Sequence, residues 1–310
     1  MNFLHTYHPS PLLITFGPLA VHWYGLLLVA GGVAAYFVSR RTFVWAGVPR
    51  ALLDELLTPL TLAGFAGARL YHVANELPFY FAHPFAVFAV WRGGLAIHGA
   101  LIGGGLALYW FIKHNNKTIQ PFSRISSWLH DYTITWLFFA DLLVPGLAIA
   151  QAIGRWGNYF NQELYGRPTD LPWGIPIDIN KRMPGFERFS FFHPTFIYES
   201  IWLLIVFISL FSLLRHWLRK PPHPLRTSEG SREDPVGRPD GEVSAGRIFF
   251  HYLVLAGMGR FFVEFLRIDP MPLISSIRLQ QLVSLALVAV GAAGLWWNAQ
   301  RSYCHAQRGG

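Results

Sequence analysis

The chain of 310 residues contains a single cysteine, Cys304, which lies in its C-terminal tail. The sequence therefore predicts no disulfide, no cysteine-based metal site and no cysteine nucleophile within its apolar segments. Charged residues are also scarce, at 14% of the chain, against roughly 25% in ordinary soluble domains. Residues 1–39 contain no Lys or Arg, so the first apolar segment lacks the basic start of a removable signal peptide.

Apolar residues are abundant instead: 53% of the chain is hydrophobic, and the mean hydropathy is +0.33. A helix needs about 20 predominantly apolar residues to cross a hydrocarbon core of ~30 Å. The apolar runs predict an all-α integral membrane protein with about seven transmembrane helices, at 18–38, 52–74, 95–112, 133–153, 195–214, 247–266 and 277–297.

The segments between these helices predict how the chain is divided. The turn-rich, aromatic segment 154–194 predicts a small extracytoplasmic head with short strands around 175–179. Residues 218–246 are rich in Pro, Ser, Gly and charge, which favours a flexible cytoplasmic linker. The predicted division is 1–153 with helices one to four, the head 154–194, 195–300 with helices five to seven and the linker, and a cytoplasmic tail at 301–310.

The distribution of basic residues predicts the orientation. Fifteen of the 25 Lys and Arg residues follow helices one, three and five or lie in the tail, and the side richer in basic residues faces the cytoplasm. We therefore expect a multi-pass protein of the bacterial inner membrane with its N-terminus outside and its C-terminus inside. The other ten lie within helices or toward the outer face, where an anionic ligand would explain them. The net charge of +8 comes mostly from the cytoplasmic loops and does not indicate nucleic-acid binding.

The run from Gly154 to Gly166 carries the strongest functional signal. It places Arg155, Asn158, Asn161 and Glu163 at the end of an apolar segment, among glycines that let the backbone turn or approach a ligand. An Arg at the bilayer centre costs roughly 2.5–3.5 kcal/mol on insertion scales, less near the interface. A polar cluster snorkelling to the interface is the alternative, but so many hydrogen-bonding side chains favour a binding site.

A second cluster lies in the sixth predicted helix. Arg260, Glu264 and Arg267 are spaced i, i+4, i+7 and therefore share one helix face. Two Arg for one Glu leave a guanidinium available, and its planar fork suits phosphate oxygens. A structural stripe of ion pairs is the alternative.

Five further polar residues are candidates. His98 lies in a Gly-rich, membrane-embedded segment, although a lone intramembrane His is more often a satisfied interior donor. Tyr24 begins the first helix, where an aromatic-belt role is the alternative. Tyr198 and Glu199 open the fifth helix, and Asp141 adds a charge to the fourth.

Together these segments resemble the prolipoprotein diacylglyceryl transferase family over nearly the whole chain. The family pattern Gly-Arg-x-Gly-Asn-Phe-x-Asn-x-Glu-x-x-Gly matches 154–166, with Tyr159 in place of Phe. Ala100 stands where the family often has a second Gly, and the linker 221–246 is longer than is usual in the family. The other matching segments, in family order, are Trp-Tyr-Gly at 23–25, Gly-Gly-x-x-x-His-Gly at 93–99, His-Pro-x-x-x-Tyr-Glu at 193–199 and Arg-Phe-x-x-Glu-x-x-Arg at 260–267.

The resemblance implies transfer of the diacylglyceryl group of phosphatidylglycerol to the lipobox cysteine of a prolipoprotein signal peptide, in the lipid bilayer and without a cofactor or metal. Arg155 and Arg260 are expected to bind the phosphate. His98 is expected to act as the base for the thiol, with Glu163 and Tyr24 as alternatives. Phosphatidylglycerol binding is expected from Arg155, Asn158, Tyr24, Gly166, Glu163 and Arg260, with support from Glu264, Arg267, Asn161, Asp141, Tyr198 and Glu199.

A transporter or channel for an anionic solute could use the same Arg cluster. No internal repeat of the kind that many transporters carry is visible in the sequence. A non-catalytic scaffold is a third possibility, although it would not need so many ionisable groups at one depth. The enzyme is therefore the preferred interpretation.

Overall fold

The computed structural model describes residues 2–17, 19–90, 93–115, 132–218, 245–269, 273–274 and 277–308. Most of the predicted linker therefore lies outside the described residues. The described part is mainly helical. Its α-helices are α1 Asn2–Thr6, α2 Trp23–Trp45, α3 Arg50–Asn75, α4 Leu77–Ala82, α5 Ile97–His114, α6 Tyr132–Asn161, α7 Thr195–Leu218, α8 Arg247–Glu264 and α9 Leu279–Arg308, with 3-10 turns at Pro84–Phe88 and Ile179–Lys181.

Three short antiparallel strand pairs accompany the helices. Strands β1 (Leu12–Phe16) and β2 (Leu19–His22) form a hairpin that the sequence did not predict, and α2 therefore begins at Trp23 rather than near residue 18. Strands β3 (Ile175–Pro176) and β4 (Phe191–Phe192) pair in the segment where short strands were predicted. The last pair, β5 (Leu273–Ile274) and β6 (Ile277–Arg278), leads directly into α9.

Five of the described helices are long and apolar enough to cross a membrane. They are Trp23–Trp45, Arg50–Asn75, Trp136–Asn161, Thr195–Leu218 and Leu279–Arg301. The third and sixth predicted spans also form helices, α5 and α8, but each has only 18 residues. α5 carries His98, Lys113 and His114, and α8 carries Arg247, Arg260 and Glu264. The protein is thus an all-α integral membrane protein with at least these five candidate spans.

The chain divides into two compact units, and the first contains the described parts of 1–42, 140–220 and 242–310. Within it, α8 packs along α9 and against α7. Trp202 of α7 donates an indole hydrogen bond to the carbonyl of Leu255, 2.8 Å away. Buried Thr42 of α2 donates its hydroxyl hydrogen to the carbonyl of Leu142 in α6, at 2.7 Å.

The second unit contains the described parts of 43–139, and its main feature is the packing of α3 against α5. Gly67 of α3 faces Gly99 and Gly103 of α5 so closely that a Cβ on any of them would meet the other helix's backbone. Such small-residue contacts are typical of helix pairs in membranes. Buried Arg69 donates to the carbonyls of Ala86, Val87, Gly93 and Gly94, so its guanidinium holds the loop between the two helices.

Candidate active site

The Gly154–Gly166 run is split between a helix and a turn. Residues 154–161 form the last two turns of α6, so the chain does not leave the helix at Gly154 or Gly157. The turn follows at Gln162 and Leu164, which have φ angles of 53° and 57°. Gly157 instead allows close approach, because a Cβ there would lie 3.0 Å from Cε2 of the Tyr24 ring.

An alternating chain of five charged side chains, called here the Arg–Glu chain, lies in the first unit. Arg155 Nε lies 2.7 Å from Glu199 Oε2, and the other oxygen of Glu199 lies 2.7 Å from Arg260 Nη1. Arg260 Nη2 then lies 2.6 Å from Glu264 Oε2, whose Oε1 lies 3.0 Å from Arg278 Nη1. The order is Arg155, Glu199, Arg260, Glu264, Arg278, and these residues come from α6, α7, α8 and β6.

Burial differs between the two kinds of charge in this chain. The side chains of Glu199 and Glu264 are 8% and 0% exposed, whereas those of the three Arg residues are 22–29% exposed. A buried carboxylate is costly unless paired, and each carboxylate oxygen here lies within 3.0 Å of a guanidinium nitrogen. The two acids therefore hold the guanidiniums in place from their buried side. The Arg–Glu chain carries three positive and two negative charges, and this net positive charge suits it to an anion.

The predicted pairing of Arg260 with Glu264 is thus present in the structure. Glu199, expected only to support the site, instead joins Arg155 of α6 to Arg260 of α8. Sequence reasoning did not assign Arg278 to the site. Its only sequence signal was its position at the start of an apolar span, on the side where basic residues are disfavoured.

Arg267 is buried, although it lies near the end of the predicted sixth helix. Its side chain is only 3% exposed, and it binds Asp269 through both Nε and Nη2, at 2.9 and 3.0 Å. Its Nη1 lies 3.9 Å from Glu199 Oε1, so this closed pair sits beside the Arg–Glu chain. Asp269 was missed by sequence reasoning, although the Arg-x-Asp spacing permits a local bidentate pair.

The polar residues around the end of α6 bind one another. Asn158 and Asn161 both donate amide hydrogen bonds to Glu163 Oε1, at 2.9 and 3.2 Å. Tyr24 lies within electrostatic range of both Glu163 and Arg155. The structure thus brings Tyr24, Arg155, Asn158, Asn161 and Glu163 together, as the sequence predicted.

The segment after α6 is fastened to the N-terminal segment. Gln162 donates to the carbonyl of Pro9 at 2.9 Å and to Asp178 Oδ2 at 2.7 Å, and it accepts from the Asp178 amide at 2.7 Å. His8 binds the other carboxylate oxygen at 2.9 Å. The hydrogen bonds from Gln162 and His8 lower the pKa of Asp178 below its usual range.

Gly166 lies where the backbone passes next to the segment that carries Arg267. Its amide donates to the carbonyl of His193 at 2.9 Å, and it pairs with Arg267 in an isolated bridge. An added Cβ would lie 2.8 Å from the His193 side chain and 3.1 Å from the carbonyl of Leu266. The lack of a side chain at Gly166 therefore lets the backbone pack against the segment carrying Arg267.

Tyr198 is held by two aromatic neighbours rather than by the Arg–Glu chain. Its hydroxyl accepts a hydrogen bond from Trp173 Nε1 at 2.9 Å and lies 3.1 Å from His193 Nδ1. Burial lowers the pKa of His193. The hydroxyl only accepts in its contact with Trp173, so its own proton is free to be donated to Nδ1 of a neutral His193.

Asp141 lies outside the Arg–Glu chain, contrary to its expected supporting role. Its carboxylate is fully buried and accepts backbone hydrogen bonds from Gly246 and Phe249, both at 2.7 Å. These amides belong to the start of α8. Arg260 lies 11 residues beyond Phe249 on that helix, or about 17 Å at 1.5 Å per residue.

His98 occupies the first turn of α5 in the second unit, where its ring centroid lies 5.8 Å from that of Tyr71. The half-buried side chain is therefore placed against α3. Its predicted role as a base stays a prediction.

These features define an integral membrane protein with a largely buried Arg–Glu chain among its helices. The chain belongs to the prolipoprotein diacylglyceryl transferase family, whose model matches residues 11–297, and it is therefore a transferase. It is 38% identical over 302 residues to the phosphatidylglycerol–prolipoprotein diacylglyceryl transferase of Nostoc sp., covering 96% of this chain and 92% of that protein. The like-named protein of Gloeobacter violaceus is 37% identical over 296 residues, covering 95% and 94%. That of Cutibacterium acnes is 36% identical over 300 residues, covering 95% and 87%.

Proposed function

We propose that this protein transfers the diacylglyceryl group of phosphatidylglycerol to the thiol of the lipobox cysteine in a prolipoprotein signal peptide. The thiolate sulfur attacks the carbon that joins the diacylglyceryl group to the phosphate. A carbon–sulfur bond forms, the carbon–oxygen bond breaks, and its electron pair leaves with glycerol phosphate. This reaction would be the first step of bacterial lipoprotein maturation.

The Arg–Glu chain is the observation that carries this proposal. The leaving group accumulates negative charge on its phosphate oxygens as the carbon–oxygen bond breaks. Guanidiniums fixed in advance stabilise such charge without having to reorganise during the reaction. Glu199 and Glu264 hold Arg155 and Arg260 in that state, with contacts of 2.6–2.7 Å.

The attacking thiol also requires a proton acceptor. A thiol with a pKa of ~8.5 is only a few per cent ionised at pH 7, so a nearby base raises the fraction of thiolate. We assign this role to His98, because His titrates nearest neutral pH and His98 lies deepest in the predicted spans. Glu163 and Tyr24, which lie near Arg155, are the alternatives.

We further propose seven membrane spans, with α5 and α8 added to the five apolar helices. The N-terminus and the head 154–194 would then face outward, and 218–246 with the tail 301–310 would face the cytoplasm. The excess of basic residues in the loops after spans one, three and five supports this orientation. The Arg–Glu chain would lie toward the outer leaflet, where both lipid-embedded substrates enter sideways.

The proposal is tested by incubating the full-length protein, purified in detergent, with phosphatidylglycerol and a lipobox peptide. An enzyme yields a thioether-linked peptide of increased mass and free glycerol phosphate without any sealed compartment. A transporter yields neither product in detergent and moves an anionic solute only across sealed vesicles. A peptide with Ser in place of the lipobox Cys is the control and should stay unmodified.

A further inference from the structure

Arg278 occupies the same kind of position in the Arg–Glu chain as Arg155. Each ends the alternating chain, and each binds one oxygen of a buried Glu whose other oxygen binds Arg260. The side chains of Arg155 and Arg278 are 29% and 24% exposed. The two ends of the chain are therefore alike in pairing and in access.

Glu264 has the geometry of an anchor for two guanidiniums. It is completely buried, and its oxygens lie 2.6 Å from Arg260 and 3.0 Å from Arg278. One carboxylate can neutralise only one of these two positive charges. Because α8 supplies Glu264 and β6 supplies Arg278, their contact brings a second chain segment to Arg260.

Charge also distinguishes Arg278 from Arg267. The Arg267 guanidinium is 3% exposed and closed by both oxygens of Asp269, so its charge is matched by a partner of its own. Arg278 makes one ion-pair contact among the described residues and keeps an exposed part. A guanidinium has five N–H donors, and a phosphate can accept those that a single carboxylate oxygen does not use.

We infer that Arg278 is a further binding residue for the phosphate of the lipid substrate, held beside Arg260 by their shared carboxylate, Glu264. This inference rests on the proposed function. In the proposed arrangement, the anionic headgroup contacts the guanidiniums of both Arg260 and Arg278. These contacts form when the lipid binds, before the carbon–oxygen bond breaks. Loss of Arg278 therefore weakens lipid binding more than it slows the chemical step.

The test measures initial rates over a range of phosphatidylglycerol contents in mixed micelles, at a fixed saturating lipobox peptide. Arg278→Gln should raise the apparent KM for phosphatidylglycerol about tenfold, as expected for a lost hydrogen bond to a charged group, and change kcat less. Free glycerol phosphate should inhibit this variant about tenfold less strongly for the same reason. Arg278→Lys should have an apparent KM between those of the wild-type protein and Arg278→Gln, because Lys keeps the charge but lacks the planar fork of the guanidinium.

Arg188→Gln provides the matched control, because Arg188 is exposed in the head and its guanidinium lies over the Phe189 ring, outside the Arg–Glu chain. It should keep the wild-type KM. The double variant Arg278→Gln/Glu264→Gln removes the buried carboxylate together with its partner. It distinguishes a role of Arg278 in lipid binding from a role in neutralising Glu264. The KM of the double variant is compared with that of Glu264→Gln alone, because the loss of Glu264 also affects Arg260. A higher KM in the double variant supports the inference, and an equal KM would show that Arg278 only neutralises Glu264.

An unchanged KM and an unchanged inhibition by glycerol phosphate in Arg278→Gln would also overturn the inference while leaving the transferase activity established. If the wild-type protein itself forms no thioether, the proposed function fails instead. The two failures are therefore distinguished by the wild-type reaction in the same experiment.

Discussion

At the scale of single residues, the carboxylates of the Arg–Glu chain determine where the guanidiniums lie. Glu199 joins two helices through Arg155 and Arg260, and Glu264 joins α8 to Arg278. Removing one partner of a buried ion pair costs roughly 3–5 kcal/mol because the other charge stays buried. In the proposed mechanism, the acids contribute to activity by positioning the cations, without contact to the reacting atoms.

Glu264→Gln should therefore lower the transfer rate less than Arg260→Ala does. The amide keeps the shape and one acceptor oxygen, so Arg260 retains its contact with Glu199, whereas truncating Arg260 removes a proposed phosphate ligand. Rates of thioether formation for the two variants, each normalised to folded protein, measure this difference. An equal or greater loss in Glu264→Gln would mean that Glu264 takes part in the chemistry itself.

His98→Gln should abolish most of the transfer between pH 6 and pH 8. Gln keeps hydrogen-bonding capacity but cannot accept the thiol proton at these pH values, and general-base catalysis typically contributes 10²–10⁴-fold. The pH profile of thioether formation is the measurement. Near-normal turnover across this range would make His98 a structural residue of α5 and would direct attention to Glu163 and Tyr24.

At the scale of helices and loops, the apolar runs predicted where the helices lie. The ends of the helices, where polar residues begin, were less predictable. The fourth span was expected to end at 153, yet α6 continues to Asn161 and carries Arg155 on its last turns. Glycine is unfavourable in helices, so two glycines in four residues favoured a turn. In the structure both lie within α6, and Gly157 packs against the Tyr24 ring. The β1–β2 hairpin was missed because its residues read as the start of an apolar span.

Asp141 shows how a charge within a span can serve an element instead of the site. Asp141→Ala should lower the midpoint of thermal unfolding in detergent, because it removes the acceptor for the amides of Gly246 and Phe249 at the start of α8. Loss of such a cap typically costs about 0.5–2 kcal/mol. The apparent KM for phosphatidylglycerol should stay unchanged in the folded fraction. A raised KM with an unchanged midpoint would instead place Asp141 in the site.

Ion pairs between segments far apart in the sequence could not be predicted, whereas a pair within one helix could. The i, i+4 spacing of Arg260 and Glu264 can be seen in the sequence, because both residues lie on one helix. Glu199 and Arg278 meet these residues only through the packing of α7, α8 and α9, which no local pattern specifies. The sequence therefore indicated the members of the site better than it indicated their partners.

At the scale of the whole molecule, family membership and five apolar helices agree with a multi-pass membrane enzyme. The number and direction of the spans remain proposals. With seven spans, a reporter fused near Gly237 should be active on the cytoplasmic side, because this position lies in the predicted basic linker. A fusion near Asp170 in the head provides the opposite control. Periplasmic activity at Gly237 would overturn the proposed orientation.

The central claim is that Arg155 and Arg260 bind the phosphate of phosphatidylglycerol during transfer to a cysteine thiol. The most direct measurement is the rate of thioether formation by purified wild-type protein, Arg155→Ala and Arg155→Lys. Because hydrogen bonds to charged groups contribute about 1.5–3 kcal/mol, Arg155→Ala should lose roughly tenfold to a hundredfold or more of the rate. Arg155→Lys should recover little, since it lacks the planar fork. Full activity of Arg155→Ala on phosphatidylglycerol would contradict the account.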